Sequence, residues 1–460
     1  MGVITRFAPS PTGYLHIGSA RTALFNWLFA RHNDGMFLLR IEDTDKKRST
    51  EAAITAIHEG LNWLNLKADE PVVMQSTRIS RHVEVANELL KNGSAYRCYL
   101  NPEELENIRS AATQKGKPLR SPWRNQLINN GAQESSFVVR MRMPDVGSTT
   151  IIDNVQGPIT VQNSVLDDMI ILRADSSPTY TLAVVVDDHD MGITHIIRGD
   201  DHLNNAFRQF IIYKAMGWTP PEFAHIPLIH GNDGSKLSKR HGALGIDSYK
   251  NMGILPDAMF SYLLRLGWSW GDEEVFTRDK AVELFDLSRV GKSPARFDLE
   301  KLENINSHFL KQLDNETFFG LIGSVAKPTS PDAKRRIFKL APLLKERAKT
   351  HVEIAKSITY LIHDGPAQII DGLEQSLTTK MKTTLLDLDQ ALAKSNWKMP
   401  ALQNTLNDFM LNNNLKMRDV GPPLRAVLTG RKNSASIIDI MAALGQSETS
   451  LRIRAACEKN

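Results

Sequence analysis

Apolar and polar positions in the first 95 residues follow two different periods. The apolar runs at 3–7 and 37–41 have the length of buried strands, whereas 19–31, 51–64 and 82–91 repeat apolar residues every three or four positions, as amphipathic helices do. Strands that alternate with helices in this way are typical of a parallel sheet. The pattern therefore predicts an α/β domain at the start of the chain.

The pattern changes twice further along the chain. Between residues 96 and 180, short β-like runs at 137–143, 149–155 and 165–173 are separated by Pro, Gly, Asp and Asn, which predicts an inserted segment of short strands and turns. Residues 311–460 carry mostly amphipathic helical patterns with little strand signal. We therefore expect an all-helical C-terminal region.

The sheet is expected to resume after the insertion. Residues 181–186 and 193–198 are β-rich runs that predict two strands. The helix that follows them is expected to carry Phe207, Phe210, Ile211 and Lys214 on one face. Charged and polar side chains are expected to gather at loop positions around these strands, namely Asp187, Asp188, Arg198, Asp200, Asp201 and His202.

Length and composition narrow the class of protein. A chain of 460 residues favours several domains, and 42% hydrophobic with 23% charged residues is typical of a globular protein. No segment has the apolar length of a membrane span, and the first residues lack the regions of a signal peptide, so we expect a cytoplasmic protein with no membrane partner. The two cysteines, Cys98 and Cys457, are too few and too far apart in the sequence to imply a disulfide framework.

The charge balance permits a nucleic-acid partner. Lys and Arg total 56 against 52 Asp and Glu, which gives a formal net charge of +4. A nucleic-acid surface would then be a local basic patch.

The loop between the first strand and the first helix carries candidate chemistry. Gly13 and Gly18 allow a close backbone approach to a phosphate, and the helix that follows offers unpaired amide groups to an anion. His16 can add a side-chain donor. The alternative is a simple turn with a hydrogen-bonded loop histidine, and the residues of this stretch alone leave both interpretations open.

Two motifs carry a resemblance to a known family. LHIG at 15–18, within RFAPSPTGYLHIGSARTALFNW, closely resembles the HIGH signature of class I aminoacyl-tRNA synthetases in the form used by bacterial glutamyl-tRNA synthetases. KLSKR at 236–240, within IPLIHGNDGSKLSKRHG, resembles the KMSKS loop of the same class. The motifs stand in the family's order, and the resemblance continues across nearly the whole chain.

The resemblance implies a domain organisation. The expected parts are a Rossmann-type catalytic domain in two halves at 1–95 and 181–235, an acceptor-end-binding insertion of α+β structure at 96–180, a KLSKR loop and stem-contact region at 236–310, and an all-helical anticodon-binding domain at 311–460. The catalytic domain would be built on a parallel sheet.

The resemblance also assigns roles to residues. Catalytic roles fall to His16, Lys236 and Lys239; ATP contacts to Ser10, His16, Gly18, Asp201, His202, Lys236, Leu237, Ser238, Lys239 and Arg240; and glutamate contacts to Arg6, Ala8, Ser10, Glu42, Tyr180 and Arg198. The role of Arg6 and the role of the lysines in KLSKR also agree with the chemistry of these side chains. The fork of Arg6 suits a carboxylate, and ammonium groups on a Gly-flanked loop can meet the charge that develops on the α-phosphate of ATP. Val184 stands where some relatives have Asn.

The resemblance assigns no metal ligands in this sequence and only general candidates for contacts with RNA. Many bacterial relatives hold zinc in the insertion, but Cys98 stands alone here and no histidine lies between His82 and His189, so we expect no zinc and no protein-bound metal. ATP would bring Mg²⁺, held largely through its phosphates. Candidate RNA contacts near the C-terminus are Arg418, Arg425, Arg431 and Lys432, although basic residues on exposed helices are often only solvated.

The function that the resemblance implies is glutamate–tRNA ligation. Glutamate and ATP would give glutamyl-adenylate, and the glutamyl group would pass to the 3′-terminal adenosine of tRNA-Glu, with tRNA-Gln as an additional or alternative acceptor. A monomer is the family expectation. Three rivals are a shortened relative that modifies a tRNA base but lacks the helical C-terminal domain, a glutaminyl enzyme that ends in β-barrels, and a catalytically silent tRNA-binding paralogue that should have lost LHIG or KLSKR.

Overall fold

The computed structural model describes residues 2–45, 48–114, 116–126, 136–231, 233–235, 237, 244–370 and 372–458. The chain forms two compact units. The first contains Met1–Ser248 and Met259–Asp298, and the second contains Tyr249–Ala258 and Leu299–Asn460.

The described strands are short and lie in the first unit. They are β1 (Ile4–Phe7), β2 (Met36–Ile41), β3 (Val73–Met74), β4 (Ala95–Cys98), β5 (Val138–Met141), β6 (Ser148–Asp153), β7 (Gly157–Gln162), β8 (Ile170–Leu172), β9 (His195–Gly199), β10 (Glu222–Ile226), β11 (Ile229–His230) and β12 (Ala295–Arg296).

The described helices run through both units. Up to residue 284 they are α1 (Ile17–His32), α2 (Glu51–Trp63), α3 (Ile79–Lys91), α4 (Pro102–Gln114), α5 (Tyr180–Asp190), α6 (Leu203–Met216), α7 (Ile246–Met252), α8 (Pro256–Arg265) and α9 (Arg278–Leu284). The second unit continues with α10 (Leu299–Gln312), α11 (Asn315–Ala326), α12 (Ala333–Arg347), α13 (His351–Ser357), α14 (Thr359–Ile362), α15 (Thr379–Ala393), α16 (Met399–Asn412), α17 (Met417–Thr429), α18 (Ile437–Leu444) and α19 (Gln446–Cys457).

A layer of parallel strands forms the centre of the first unit. Strand β1 pairs with β2, β2 with β3, and β9 with β10, all in parallel. Beside β1, the backbone N–H of Thr194, just before β9, donates to the carbonyl of Ile4 at 2.9 Å. The strands therefore lie in the order β3-β2-β1-β9-β10, and the chain proceeds outwards from β1 to one side of the sheet and from β9 to the other. Open α/β sheets bind ligands at the point where the strand order switches in this way. The expected parallel sheet is confirmed.

The segment before α5 adds two smaller arrangements of strands. Strands β4, β5 and β8 form an antiparallel sheet, and β6 and β7 form an antiparallel hairpin. Strand β6 also touches the central layer, because Asp153 is the parallel register partner of Phe223 in β10. The three predicted β runs are present in shortened form, whereas β7 was not predicted.

The prediction of a strand at 181–186 is wrong. These residues lie in helix α5, and Leu182 to Val186 are all buried there. A short apolar run has the same pattern in a buried strand and in a buried helix, and packing decides between them. The change also moves Asp187 and Asp188, which we expected in loops, into the last turns of a buried helix.

Helices are the only regular elements among the described residues of the second unit, as the sequence predicts. Helix α12 buries Ile337, Leu340 and Leu344 on one face, as the spacing of these residues indicates. Helix α17 ends at Gly430, whose backbone is left-handed with φ of 70° and ψ of 10°.

We expect Gly430→Ala to destabilise this unit. A Cβ at this position would lie 1.9 Å from the carbonyl oxygen of Gln368, in addition to the strain of the left-handed backbone. Gly217 is a matched control, because it ends α6 with φ of 69° and ψ of 17° and a Cβ there would meet nothing within 4 Å. In urea unfolding, Gly217→Ala should cost about 1–2 kcal/mol and Gly430→Ala about 1–3 kcal/mol more. Equal losses would contradict the steric explanation.

Candidate active site

The LHIG motif forms the N-terminus of α1. His16 is the N-cap residue, and its Nδ1 accepts the backbone N–H of Ser19 at 3.3 Å while Nε2 lies 3.1 Å from the Ser19 hydroxyl. A Cβ on residue 18 would lie 3.3 Å from the His16 ring, so glycine there leaves room for the imidazole. The motif therefore presents an exposed histidine beside a helix N-terminus, which attracts anions.

Leu237 of the second motif and the described residues that follow the motif are bonded to β11 and to LHIG. The backbone N–H of Leu237 donates to the carbonyl of Ile229 in β11 at 3.0 Å. Beyond the motif, Gly245 forms an antiparallel bridge with His16, and the N–H of Ile246 donates to the carbonyl of Leu15 at 2.9 Å. The chain on the C-terminal side of KLSKR is thus bonded directly to LHIG. Lys236, Ser238, Lys239 and Arg240 lie outside the described residues.

Four of the predicted glutamate contacts come together at the carboxyl ends of β1, β2 and β9. Arg6, Glu42 and Arg198 are each less than 9% exposed, and Tyr180 at the start of α5 is 36% exposed. The Arg6 and Arg198 guanidinium groups are close enough to act on the pKa of the Tyr180 hydroxyl. Two guanidinium groups, the Glu42 carboxylate and the Tyr180 phenol thus lie near one another at this edge of the sheet.

The loop after β1 supplies the other predicted contacts. The N–H of Glu42 donates to the carbonyl of Pro9 at 2.9 Å, which holds this loop against the end of β2. Ala8 is half-buried and Ser10 is exposed beside it.

A buried ionic network lies beneath this group. The Asp188 carboxylate accepts from Arg6 Nε at 3.0 Å, from Arg6 Nη2 at 3.2 Å and from Arg40 Nη1 at 2.7 Å. Arg40 Nη2 also donates to Glu42 Oε1 at 3.2 Å. The fork of Arg6 that we expected to hold a substrate carboxylate is therefore engaged by Asp188. No local pattern indicates this pairing, because the two residues are 182 positions apart.

Asp187 extends the same network on its other side. Its carboxylate accepts from Gln75 Nε2 at 2.9 Å and from Arg78 Nε at 2.6 Å, and lies 2.8 Å from His82 Nε2. Gln75 and Arg78 lie in the 3₁₀ turn just before α3 and His82 lies in α3, so the fully buried Asp187 carboxylate connects this segment to the end of α5.

The network sets the charges of the site. Burial alone would lower the pKa of Arg40, but Asp188, Glu42 and Asp187 outweigh it and raise that pKa above its ordinary value. Burial raises the pKa of Glu42 above its ordinary value, and Arg40 and Arg6 oppose this only in part. Burial and the Glu42 charge raise the pKa of Tyr180. Tyr180 is therefore a neutral hydrogen-bonding group.

The predicted adenosine contacts follow β9. Asp201 and His202 lie in a short 3₁₀ turn at Asp200–His202, and both are partly exposed. His202 Nδ1 lies 3.2 Å from the Tyr180 hydroxyl, which links this turn to the group around Arg198. Partial burial and the Arg198 charge lower the pKa of His202. The imidazole is therefore neutral near pH 7.

Three residues around Arg198 were not predicted. Arg198 Nε donates to His225 Nε2 at 3.1 Å, Arg198 Nη2 donates to Gln209 Oε1 at 2.8 Å, and His225 Nδ1 lies 2.6 Å from Asp153 Oδ2. The only local indication of these contacts is His225 within the apolar run EFAHI. Its partners Arg198 and Asp153 are distant in the sequence.

The candidate RNA contacts differ in their surroundings. Arg418 has a side chain that is 77% exposed, and Lys432 is also exposed. Arg425 is half-buried and donates to the carbonyl of Ala435 at 2.7 Å, and Arg431 donates to the Thr359 hydroxyl at 3.1 Å. Arg418 and Lys432 are therefore the most accessible of the four.

Cys98 lies in β4, where it is buried and its Sγ donates to the Ser121 hydroxyl at 3.3 Å. The thiol is therefore nearly inaccessible, at 2% exposure. Within the described ranges no three His, Cys, Asp or Glu side chains are grouped as metal ligands would be.

Among the helices described above, none has the length and apolar character needed to cross a membrane.

Comparison with known proteins identifies the family. A model of the class I tRNA synthetases (E and Q), catalytic domain, matches residues 2–304, and a model of an anticodon binding domain matches residues 304–457. The chain is 50% identical to glutamate–tRNA ligase 2 of Parvibaculum lavamentivorans, covering 98% of this chain and 94% of that protein. It is 51% identical to glutamate–tRNA ligase 2 of Rhizorhabdus wittichii, covering 97% and 96%.

A solved structure agrees with these relatives. The crystal structure of a glutamate tRNA ligase from Elizabethkingia meningosepticum in complex with its amino acid superposes with a TM-score of 0.88 at 31% identity, covering all of both chains. Both family models and the full-length relatives agree, so this chain belongs to the class I tRNA synthetases, in the family of the glutamate–tRNA ligases.

Proposed function

We propose that this chain activates L-glutamate with ATP to glutamyl-adenylate and transfers the glutamyl group to the 3′-terminal adenosine of tRNA-Glu. The observation that carries the proposal is the group of Arg6, Glu42, Tyr180 and Arg198 beside the LHIG helix. A dicarboxylic amino acid needs cations for its carboxylates and a carboxylate for its ammonium group. This group offers both, next to a helix N-terminus suited to phosphate.

The proposed mechanism needs no covalent nucleophile from the protein. Arg198 binds a carboxylate of glutamate, Glu42 attracts its ammonium group, and Tyr180 contributes a neutral hydroxyl. His16 and the amide groups of α1 contact the phosphates of ATP, and Asp201 and His202 contact its adenosine. Lys236, Lys239 and Arg240 neutralise charge that develops on the α-phosphate when the carboxylate attacks. The tRNA supplies its own ribose hydroxyl for the second step.

The proposal includes the remaining expectations from the sequence. Mg²⁺ enters with ATP and is bound mainly through the phosphates. No zinc is part of the proposal, because a structural zinc site needs four Cys or His ligands and Cys98 is the only such residue between His82 and His189. The protein acts as a cytoplasmic monomer, and its parts correspond to the domains at 1–95, 96–180, 181–235, 236–310 and 311–460. Arg418, Arg425, Arg431 and Lys432 are the proposed RNA contacts.

The test is aminoacylation with labelled glutamate on separate tRNA-Glu and tRNA-Gln transcripts. We expect tRNA-Glu to be charged. Charging of tRNA-Gln as well would make the enzyme a non-discriminating one whose product requires an amidotransferase. Failure to charge either tRNA, together with no tRNA-dependent pyrophosphate exchange, would contradict the proposal in favour of a silent tRNA-binding paralogue.

Glu42 gives a prediction about pH. Only the ionised carboxylate attracts the ammonium group of glutamate, and burial raises the pKa of Glu42. As pH falls through that raised pKa, the carboxylate is protonated, so the KM for glutamate should rise at a higher pH than an ordinary glutamate would cause. Glu42→Gln should raise KM about tenfold or more at pH 7.5, as loss of a charge-assisted hydrogen bond does.

The pH profile of the variant is the decisive measurement. In pyrophosphate exchange, Glu42→Gln should show a high KM that no longer rises over the acidic range in which wild type loses affinity. Asp43→Asn is a neighbouring control, because the Asp43 carboxylate accepts from the N–H and hydroxyl of Ser76 at 2.8 and 2.6 Å. A KM in Glu42→Gln that follows the wild-type profile would remove Glu42 from this role.

A further inference from the structure

The guanidinium group of Arg198 is held from two sides by protein acceptors. Its Nε donates to His225 Nε2 at 3.1 Å, its Nη2 donates to Gln209 Oε1 at 2.8 Å, and the carbonyl of His202 lies 3.4 Å from the same Nη2. Arg198 and His225 are register partners on the adjacent parallel strands β9 and β10. The side chain is therefore fixed at its far end as well as at its backbone.

One nitrogen of the group is left over. Arg198 Nη1 is buried and has no hydrogen-bond partner among the residues that the structure describes. A buried charged donor without an acceptor costs free energy, so the orientation of Arg198 depends on the acceptors that its other nitrogens have. The two bonded nitrogens determine where Nη1 lies, because the guanidinium group is planar and rigid.

His225 can accept from Arg198 only if Nε2 carries no proton. Its Nδ1 lies 2.6 Å from Asp153 Oδ2, and its backbone N–H lies 3.1 Å from both Asp153 oxygens. A carboxylate is an acceptor only, so these partners assign the proton to Nδ1 and the lone pair to Nε2. Burial lowers the pKa of His225, which agrees with this neutral form.

We propose that His225 and Asp153 are positioning residues for substrate binding. Asp153 selects the tautomer of His225. His225 and Gln209 then orient the guanidinium group of Arg198 for its contact with a carboxylate of glutamate. The inference rests on the proposed function, since it takes Arg198 as a glutamate contact. Asp153 is the last residue of β6, so the hairpin of β6 and β7 also takes part in holding Arg198.

The experiment compares variants that keep or remove each acceptor. His225→Gln keeps an acceptor oxygen for Arg198, whereas His225→Leu removes it. Gln209→Met removes the other acceptor at similar volume, and Arg198→Ala is the reference. The readouts are the KM for glutamate, the KM for ATP and the turnover in tRNA-dependent pyrophosphate exchange, with thermal unfolding measured on the same samples.

We expect a change that is confined to glutamate. His225→Leu and Gln209→Met should each raise the KM for glutamate about tenfold, as loss of an orienting hydrogen bond to a charged group does, and leave the KM for ATP within about twofold. His225→Gln should stay within about threefold of wild type for glutamate. Rescue by the variant that keeps the acceptor separates positioning from a purely structural role.

The outcomes distinguish this inference from the proposed function. A wild-type protein without pyrophosphate exchange activity would contradict both the proposed function and this inference. With an active wild type, an unchanged KM for glutamate in Arg198→Ala would overturn the inference. So would a normal KM in Gln209→Met and His225→Leu, or a KM in His225→Gln as high as in His225→Leu. If His225→Leu does not fold, Gln209→Met and His225→Gln decide the question.

Discussion

Replacing Lys239 by alanine is expected to lower the turnover of pyrophosphate exchange by about 10²-fold or more, the scale seen when one charge-stabilising donor is removed. Negative charge grows on the α-phosphate oxygens as glutamate attacks, and an ammonium group that meets this charge acts mainly in the transition state. The loss should therefore appear in kcat, while the KM for glutamate changes little.

The surroundings of the motif support this role. The chain just after KLSKR is bonded to the LHIG loop through the bridge between Gly245 and His16. Lys250, which is exposed on α7, is a control lysine outside the motif, and Lys250→Ala should retain wild-type turnover. Near-normal turnover in Lys239→Ala would show that this lysine does not carry the chemistry.

The largest effect on stability is expected from Asp188→Ala. This carboxylate is fully buried and serves both Arg6 and Arg40, so its removal leaves two buried cations without their shared partner. Breaking a buried ion pair from one side costs about 3–5 kcal/mol. Urea unfolding at pH 7 should show a loss of this size. Asp190→Ala, two residues further on the same helix with surface partners Arg78 and Arg81, should cost about 1 kcal/mol or less.

The same residue gives a pH dependence of stability. Burial alone would raise the pKa of Asp188, but Arg40 and Arg6 outweigh it and hold that pKa below its ordinary value. The unfolded state then binds the proton more tightly, so the stabilisation is fully present above the ordinary aspartate pKa and is lost as pH falls through the folded-state pKa. The difference between wild type and Asp188→Asn should shrink in that acidic range. A difference that stays constant with pH would contradict this assignment.

The sequence was a good guide wherever the signal is local. The period of the apolar residues predicted α1, α2 and α3 to within a few residues, the parallel sheet, and the helical C-terminal region. These elements depend on which face of a segment is apolar, and that is readable within a dozen residues. The motifs LHIG and KLSKR are likewise contiguous, so the family could be inferred before the fold was known.

The sequence failed where neighbours in space decide. The apolar run at 181–186 satisfies the pattern of either a strand or a buried helix, and only its packing made it α5. Asp187 and Asp188 therefore lie in the buried end of a helix, where they neutralise cations from other elements.

The charges of the candidate site were decided by the tertiary structure alone. Arg6 and Asp188 are 182 positions apart, and Asp153 and His225 are 72 apart, so no local pattern connects them. A guanidinium group or an imidazole becomes a substrate contact or a structural partner according to which acceptors fold against it, because burial makes every unpaired charge costly. The sequence by itself determined which chemical groups this protein has and the family to which it belongs. The tertiary structure determined which of those groups are already paired within the protein and which remain for a substrate.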